Sequence, residues 1–150
     1  MHDIVHELTI AAPAEQVFDA VATAAGLATW WSSEVTITGG QGSDSDDQSL
    51  TDGSTFEVGF DQGAVIIKLQ VDSIVHPVLS HLTCIDGPAE WPGTQLAFRV
   101  EPDNHGGTVV RFWHGGWEFE DGALPRCSFQ WALYLDNLRR VLEGGDVHPQ

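Results

Sequence analysis

Basic residues are scarce in this sequence of 150 residues. Six lysines and arginines stand against 22 acidic residues, which gives a formal net charge of −16 at pH 7. Nucleic acids and anionic membrane surfaces bind proteins through clustered basic side chains. The charge balance therefore predicts that neither is a partner of this chain.

Long apolar runs and paired cysteines are also missing. No apolar stretch reaches the roughly 18 residues of a membrane-spanning helix. The first residues, MHDIVHELTI, lack the basic-then-apolar pattern of a signal peptide. Cys84 and Cys127 lie far apart and form no CxxC pair, which favours buried thiols over a disulfide. We therefore expect a cytoplasmic protein without a membrane segment.

The motifs of several kinds of active site do not occur. There is no GxSxG nucleophile motif, and the glycines within 39–42 are not followed by the Lys-Ser/Thr of a phosphate-binding loop. His6 and His114 could share an interior with Glu118 or Asp121, but no HxH or HExxH spacing supports a metal site. We therefore expect no metal, no ATP and no other cofactor.

The start of the chain has the patterns of one strand and two short helices. In IVHELTI, Ile4, His6, Leu8 and Ile10 alternate with polar or exposed positions, which is typical of a strand with one buried face. The segment AAPAEQVFDAVATAAG follows and predicts a helix with Pro13 at its first position and Gly26 at its end. A second helical turn is predicted over LATWW.

The middle of the chain reads as consecutive strands. The strand-like runs are VTIT, STFEVGF, AVIIKLQVDSIV, LSHLTCI, TQLAFRV and TVVRFWHG. Strands joined by short turns form antiparallel sheets. The polar segment 41–53 is rich in glycine, serine and aspartate, which predicts a solvated connection and leaves open a role as a lid.

The end of the chain predicts a long amphipathic helix from Ser128 to Glu143. Trp131, Leu135, Leu138 and Leu142 fall on one face at helical spacing. We therefore expect an α+β fold in which this helix packs on the antiparallel sheet. Residues 1–150 are expected to form one domain, with 146–150 as a frayed tail.

The order of these segments resembles a known group of proteins, the START-like helix-grip (SRPBCC) superfamily. The similarity is greatest to the bacterial family homologous to the activator of the heat-shock-protein-90 ATPase. The matching segments are IAAPAEQVFDAVAT, LATWW, GSTFEVGF, GTQLAFRVEP, GTVVRFWHGGW and FQWALYLDNLRRVLEGG. The resemblance implies a curved sheet wrapped around the C-terminal helix with a cavity between them. Members of the superfamily bind lipids and hormones, cyclise polyketides or act on protein partners, so the fold alone does not define the function.

His114, within the segment FWHGGW, is the polar residue with most interest. It shares strand parity with Val110 and Phe112, which predicts that its side chain points inward. Four interpretations stay open: a neutral core histidine, a polar group on a pocket wall, a general acid/base and a metal ligand. No second catalytic residue is identifiable, so His114 is at most a weak catalytic candidate.

Six tryptophans suggest an aromatic-lined pocket, although core packing explains each of them separately. Arg126, just before the predicted helix, is the one base expected near an opening, where an anionic ligand group would meet it. The predicted ligand-binding residues are Trp31, Phe56, Phe60, Ile67, Leu69, Phe98, Phe112, His114, Trp131 and Leu135.

Three functions follow from the sequence. The first is the binding of a small hydrophobic or aromatic molecule between the sheet and the C-terminal helix. The second is a cyclase, dehydratase or hydrolase that uses the same pocket with His114 as acid/base. The third is a chaperone-associated regulatory protein. Outward-facing Trp113 and Val109 also suggest a homodimer contact, since large apolar side chains on a strand surface favour burial.

Overall fold

The structure, a computed structural model, describes residues 1–39 and 49–144. The predicted tail 146–150 and most of the predicted loop 41–53 lie outside these residues. The described end of that loop is anchored, because Leu50 is buried and its N–H donates to the carbonyl of Ala22 at 2.9 Å. Whether the segment acts as a lid stays a prediction.

The described residues form one antiparallel sheet and three helices. In chain order the elements are β1 (His2–Ile10), α1 (Ala14–Ala22), α2 (Ala24–Leu27), β2 (Glu34–Gly39), β3 (Thr55–Phe60), β4 (Val65–Val75), β5 (Leu79–Asp86), β6 (Gln95–Pro102), β7 (Thr108–Trp117) and α3 (Leu124–Leu142). The seven strands lie in the order β1-β7-β6-β5-β4-β3-β2. The curved sheet, the long C-terminal helix and the two short helices after β1 confirm the predicted α+β helix-grip fold.

The first helical segment differs from the prediction, because the chain breaks its helix at Thr23 rather than at Gly26. Thr23 is extended, with φ −130° and ψ 150°, and forms a bridge with Ser49. Its hydroxyl then accepts a hydrogen bond from the Gly26 N–H at 2.8 Å, which caps the new helix α2. The helical turn predicted over LATWW directly follows α2, since the Trp31 N–H donates to the Leu27 carbonyl at 3.0 Å, whereas Pro13 lies at the N-cap of α1 rather than at its first helical position.

Helix α3 begins earlier than its apolar stripe indicated, at Leu124 rather than Ser128. Pro125 lies in the first turn, where its missing N–H costs no helical hydrogen bond. The preceding Ala123 N–H donates to Glu90 Oε2 at 3.0 Å, so a carboxylate from the loop between β5 and β6 satisfies the helix start. The sequence pattern missed this first turn because its residues only partly face the core.

The core lies between the concave face of the sheet and α3, and it is rich in aromatic side chains. The predicted inward parity of β7 is confirmed, since Phe112 and His114 are fully buried. Trp131 of α3 packs against Phe112 and Trp31, with ring centroids 4.4 and 5.1 Å apart, respectively. Burying a side chain of this size stabilises the fold by about 1.5–3 kcal/mol. These contacts fix the height of α3 above the sheet.

Candidate functional site

A cavity of about 340 Å³ lies beside α3, between that helix, the hairpin joining β3 and β4, and the loop before β6. Its wall combines aromatic and aliphatic side chains with a few polar groups. The lining residues are Trp31, Phe60, Asp61, Val65, Ile67, Pro88, Trp91, Arg126, Cys127, Gln130, Trp131 and Tyr134. The cavity has the size of small-molecule sites in proteins, and its surface is polar as well as apolar.

Helix α3 supplies one side of the cavity through helical periodicity. Arg126, Gln130 and Tyr134 are spaced four residues apart and therefore share one face of the helix. Cys127 and Trp131 lie one position further on and reach deeper, with 5% and 2% of their surfaces exposed, respectively. The helix thus presents polar groups along the mouth of the cavity and an indole at its base.

The β3–β4 hairpin supplies the opposite side. Phe60 ends β3, and Val65 and Ile67 belong to β4. The turn between them is tight, because Asp61 and Gln62 have left-handed φ values of 54° and 57°. This turn holds Asp61 at the mouth, facing the C-terminal half of the α3 wall.

Trp91 completes the wall, and sequence reasoning missed it because it lies in a turn-rich loop rather than in a strand or helix. Its indole packs against the rings of His114, Trp117 and Trp131, with centroid distances of 4.6, 5.9 and 6.4 Å, respectively. A large aromatic residue between prolines and glycines in a connection is the signal that could have identified it.

The structure divides the ten predicted ligand-binding residues into two groups. Four line the cavity: Trp31, Phe60, Ile67 and Trp131. The other six are buried but do not line it: Phe56, Leu69, Phe98, Phe112, His114 and Leu135. Leu135 instead lines a second cavity of about 170 Å³ between β1 and α3. The binding role of the whole set stays a prediction.

Both ring nitrogens of His114 are engaged inside the core. Nδ1 accepts a hydrogen bond from the Trp131 indole N–H at 3.0 Å, so this nitrogen carries no proton. Nε2 therefore carries the proton and donates to the Thr94 hydroxyl at 2.9 Å. That hydroxyl donates in turn to the carbonyl of Trp91 at 2.6 Å. The chain of hydrogen bonds fixes two of the indoles that line the cavity.

The surroundings of His114 keep its imidazole neutral. Burial lowers the pKa of His114 from 6.5 to about 3, because a charged ring would lose its hydration. The ring is fully buried, and its neighbours are indoles and a hydroxyl. With no free nitrogen and no place on the cavity wall, His114 orients Trp131 and lacks the geometry for proton transfer to a ligand.

Burial also holds two titratable side chains of the cavity wall neutral, those of Cys127 and Tyr134. Burial raises the pKa of the Cys127 thiol, and a hydrogen bond with Trp91 and the charge of Arg126 offset only part of this effect. Burial likewise raises the pKa of the Tyr134 phenol, with a further contribution from the charge of Asp61. Cys127 is therefore a thiol at neutral pH and not an activated nucleophile.

No group of three histidine, cysteine, aspartate or glutamate side chains within residues 1–39 and 49–144 is placed to hold a metal ion. His6 lies inward on β1, as its parity predicted, and its Nε2 donates to the Ser128 carbonyl at 3.1 Å. His6 thus links β1 to α3. Among the described helices, none is long and apolar enough to cross a membrane.

The surface residues predicted to form a dimer contact are only partly exposed. Trp113 covers Gly115 on the outer face of the sheet, since a Cβ added at Gly115 would lie 2.2 Å from Trp113 Cζ2. Its indole also packs against His81, with ring centroids 6.4 Å apart. Apolar side chains with a larger exposed fraction occur on the solvent side of α3, where Phe129 and Leu133 are 66% and 53% exposed, respectively.

Solved structures with the same fold cover nearly the whole chain. The Aha1 dimer from Colwellia psychrerythraea is 27% identical, with a TM-score of 0.80 over 98% of this chain and 100% of that one. A Staphylococcus saprophyticus protein is 19% identical, with a TM-score of 0.75 over 99% of this chain and 98% of that one. DynU16, from the dynemicin biosynthetic locus, is 17% identical, with a TM-score of 0.71 over 94% of this chain and 47% of that one.

Comparison of sequences identifies a family for this chain. No curated protein matches the chain significantly. A family model does match, over residues 11–143, and its description is "Activator of Hsp90 ATPase homolog 1-like protein". The matched range includes α1, every strand after β1, the cavity and α3. This chain belongs to the family of activator of Hsp90 ATPase homolog 1-like proteins.

Proposed function

We propose that this protein binds a small hydrophobic or aromatic molecule in the cavity beside α3. The observation that carries the proposal is the wall itself, in which Trp31, Trp91 and Trp131 surround about 340 Å³ of space. Aromatic faces favour planar apolar ligands, because stacking adds to the gain from burying apolar surface. The few polar groups at the mouth would orient such a ligand.

A titration with 2-naphthamide by isothermal calorimetry tests the proposal, with Val65 as the site of a blocking variant. Val65 lines the cavity mouth, so Val65→Trp should fill part of it and weaken binding at least tenfold. Val75→Trp is the matched control, because Val75 is exposed at the far end of the same strand and does not line the cavity. Equal affinity for both variants, or no binding to the wild type up to the solubility of the probe, would contradict the proposal.

Catalysis in the same pocket, by a cyclase, dehydratase or hydrolase, is the second hypothesis. It is supported by the structural likeness to DynU16 of a biosynthetic locus, which extends to the fold alone. The hydrogen bonds of His114 weigh against this residue as the acid/base, since both ring nitrogens are already engaged. Turnover of a substrate that His114→Gln abolishes, with the fold and binding retained, would favour the enzyme.

A chaperone-associated role is the third hypothesis, and the family description supports it. The direct test is the ATPase rate of purified Hsp90 from the same organism, with and without this protein. A stimulated rate would establish the role, whereas an unchanged rate at saturating protein would exclude it. The cavity proposal is independent of this result.

We also propose that the chain forms a homodimer in the cytoplasm. The dimer proposal is supported by the 27% identical Aha1 dimer, which this chain matches over its full length. The location is supported by the two free, buried thiols Cys84 and Cys127. Light scattering coupled to size exclusion should give twice the chain mass of 16.3 kDa, and a monomer mass would contradict the dimer.

A further inference from the structure

We propose that the ligand of this cavity is a small planar apolar acid, an aromatic monocarboxylate whose carboxylate pairs with Arg126. This inference rests on the proposed binding function and specifies the chemistry of that site. Charge is distributed unevenly along the cavity mouth, and the other basic residues of the chain lie in ion pairs or on the outer face of the sheet.

Arg126 is the basic residue that the fold leaves available at the cavity. Of the six basic residues, Arg111 pairs with Glu7, and Arg139 and Arg140 pair with Asp136. The remaining two lie on the outer face of the sheet, where Lys68 is opposite Glu57 and Arg99 is opposite Arg111. Arg126 is exposed, lines the cavity, and forms no ion pair with any residue that the structure describes.

The positive charge lies at one end of the mouth and the negative charge at the other. The charge of Arg126 lowers the pKa of the neighbouring Cys127, and the charge of Asp61 raises the pKa of Tyr134 across the cavity. Arg126 and Tyr134 are eight positions apart on α3, which corresponds to about 12 Å along the helix axis. A ligand with one carboxylate therefore has one favourable orientation, with the carboxylate at Arg126 and away from Asp61.

Glu90 carries a negative charge beside this site, since its carboxylate raises the pKa of Cys127 whereas Arg126 lowers it, but among the described residues it forms no ion pair with Arg126. Glu90 Oε2 accepts a hydrogen bond from the Ala123 N–H at 3.0 Å, and Glu90 does not line the cavity. Arg126 thus keeps the planar donor set that binds carboxylates in a bidentate manner. The indoles of Trp91 and Trp131, next to Cys127 on the wall, would hold the aromatic body of the acid.

The experiment compares 2-naphthoate with its neutral analogue 2-naphthamide by isothermal calorimetry at pH 7. The wild type should bind the naphthoate about tenfold more tightly, since a charge-assisted hydrogen bond is worth more than a neutral one. Arg126→Gln should remove this preference, so that the ratio of the affinities for the naphthoate and the amide falls to about one. Arg99→Gln is the matched control, because Arg99 is an exposed arginine on the other face of the sheet, and it should retain the preference.

The outcomes separate this inference from the proposed function. Equal affinities of the wild type for both probes, or a preference that persists in Arg126→Gln, would overturn the inference and leave the binding function standing. Absence of binding by both probes would overturn the binding function and the inference with it. Circular dichroism of the variants checks that they fold, which we expect because both arginines are exposed and outside ion pairs among the described residues.

Discussion

The neutral buried imidazole of His114 predicts that the protein loses stability in mild acid. In the unfolded chain this ring takes up a proton near its ordinary pKa of 6.5, whereas in the folded protein the pKa is lowered to about 3. Between these two values the unfolded state binds more protons than the folded state. The free energy of unfolding contributed by His114 is therefore fully present above pH 6.5 and falls as the pH drops toward about 3.

The magnitude follows from proton linkage. Lowering the pH from 7 to 5 should reduce the contribution of His114 to the free energy of unfolding by about 2 kcal/mol. Solvent does not screen the charge of this ring, because the side chain has 0% exposure. Urea titrations followed by tryptophan fluorescence at the two pH values measure the loss, and His114→Gln serves as the variant without a titrating ring.

The comparison between variants isolates this histidine from the other titrating groups. The wild type should lose about 2 kcal/mol more than His114→Gln between pH 7 and pH 5. His105→Gln is the control, since His105 is exposed in the turn between β6 and β7, and it should behave like the wild type. Equal losses for the wild type and His114→Gln would refute the conclusion that the folded ring stays neutral.

Further predictions concern other residues of the sheet and of the turn before β6. Thr94→Val should cost about 1–3 kcal/mol because it leaves the His114 Nε2–H without its acceptor, and Thr94→Ser should cost less; urea titration measures both. Gly115→Ala should reduce the free energy of unfolding by about 1–3 kcal/mol, because the added Cβ would overpack against Trp113. Gly59→Ala should be tolerated, since its Cβ would lie 3.4 Å from its nearest neighbour. Melting curves compare the two variants. Cys84, whose pKa burial raises to about 11, should react with a thiol reagent at pH 8 far more slowly in the native protein than in urea.

The fold could be predicted because its information is local and repeated. The alternation in β1 and β7 and the stripe of α3 each specify a buried face, and the structure has these faces buried. The boundaries were less predictable because they depend on distant contacts. The break at Thr23 requires Ser49, and the start of α3 at Leu124 requires Glu90. Neither partner is visible in a local pattern.

The cavity could be predicted only in part. Strand parity identifies which side chains point inward, as it did for Phe60 and Ile67, but it does not distinguish a cavity wall from packed core. Phe98 and His114 point inward as well, and both are covered by neighbouring rings. Trp91 was missed because its place on the wall depends on how a loop folds over the sheet, which no periodicity encodes.

The sheet order has a consequence for how the chain is made. β1, at the start of the chain, pairs with β7, whose last residue is Trp117. During synthesis β1 therefore cannot pair with its partner strand until almost the whole sheet has been translated. This takes on the order of ten seconds at ordinary elongation rates. Over that interval its alternating apolar residues have no native partner strand, and a nascent chain stalled before β7 would expose them. Deletion of β7 should thus leave ribosome-bound chains that engage general holding chaperones, whereas chains extended through α3 should release them.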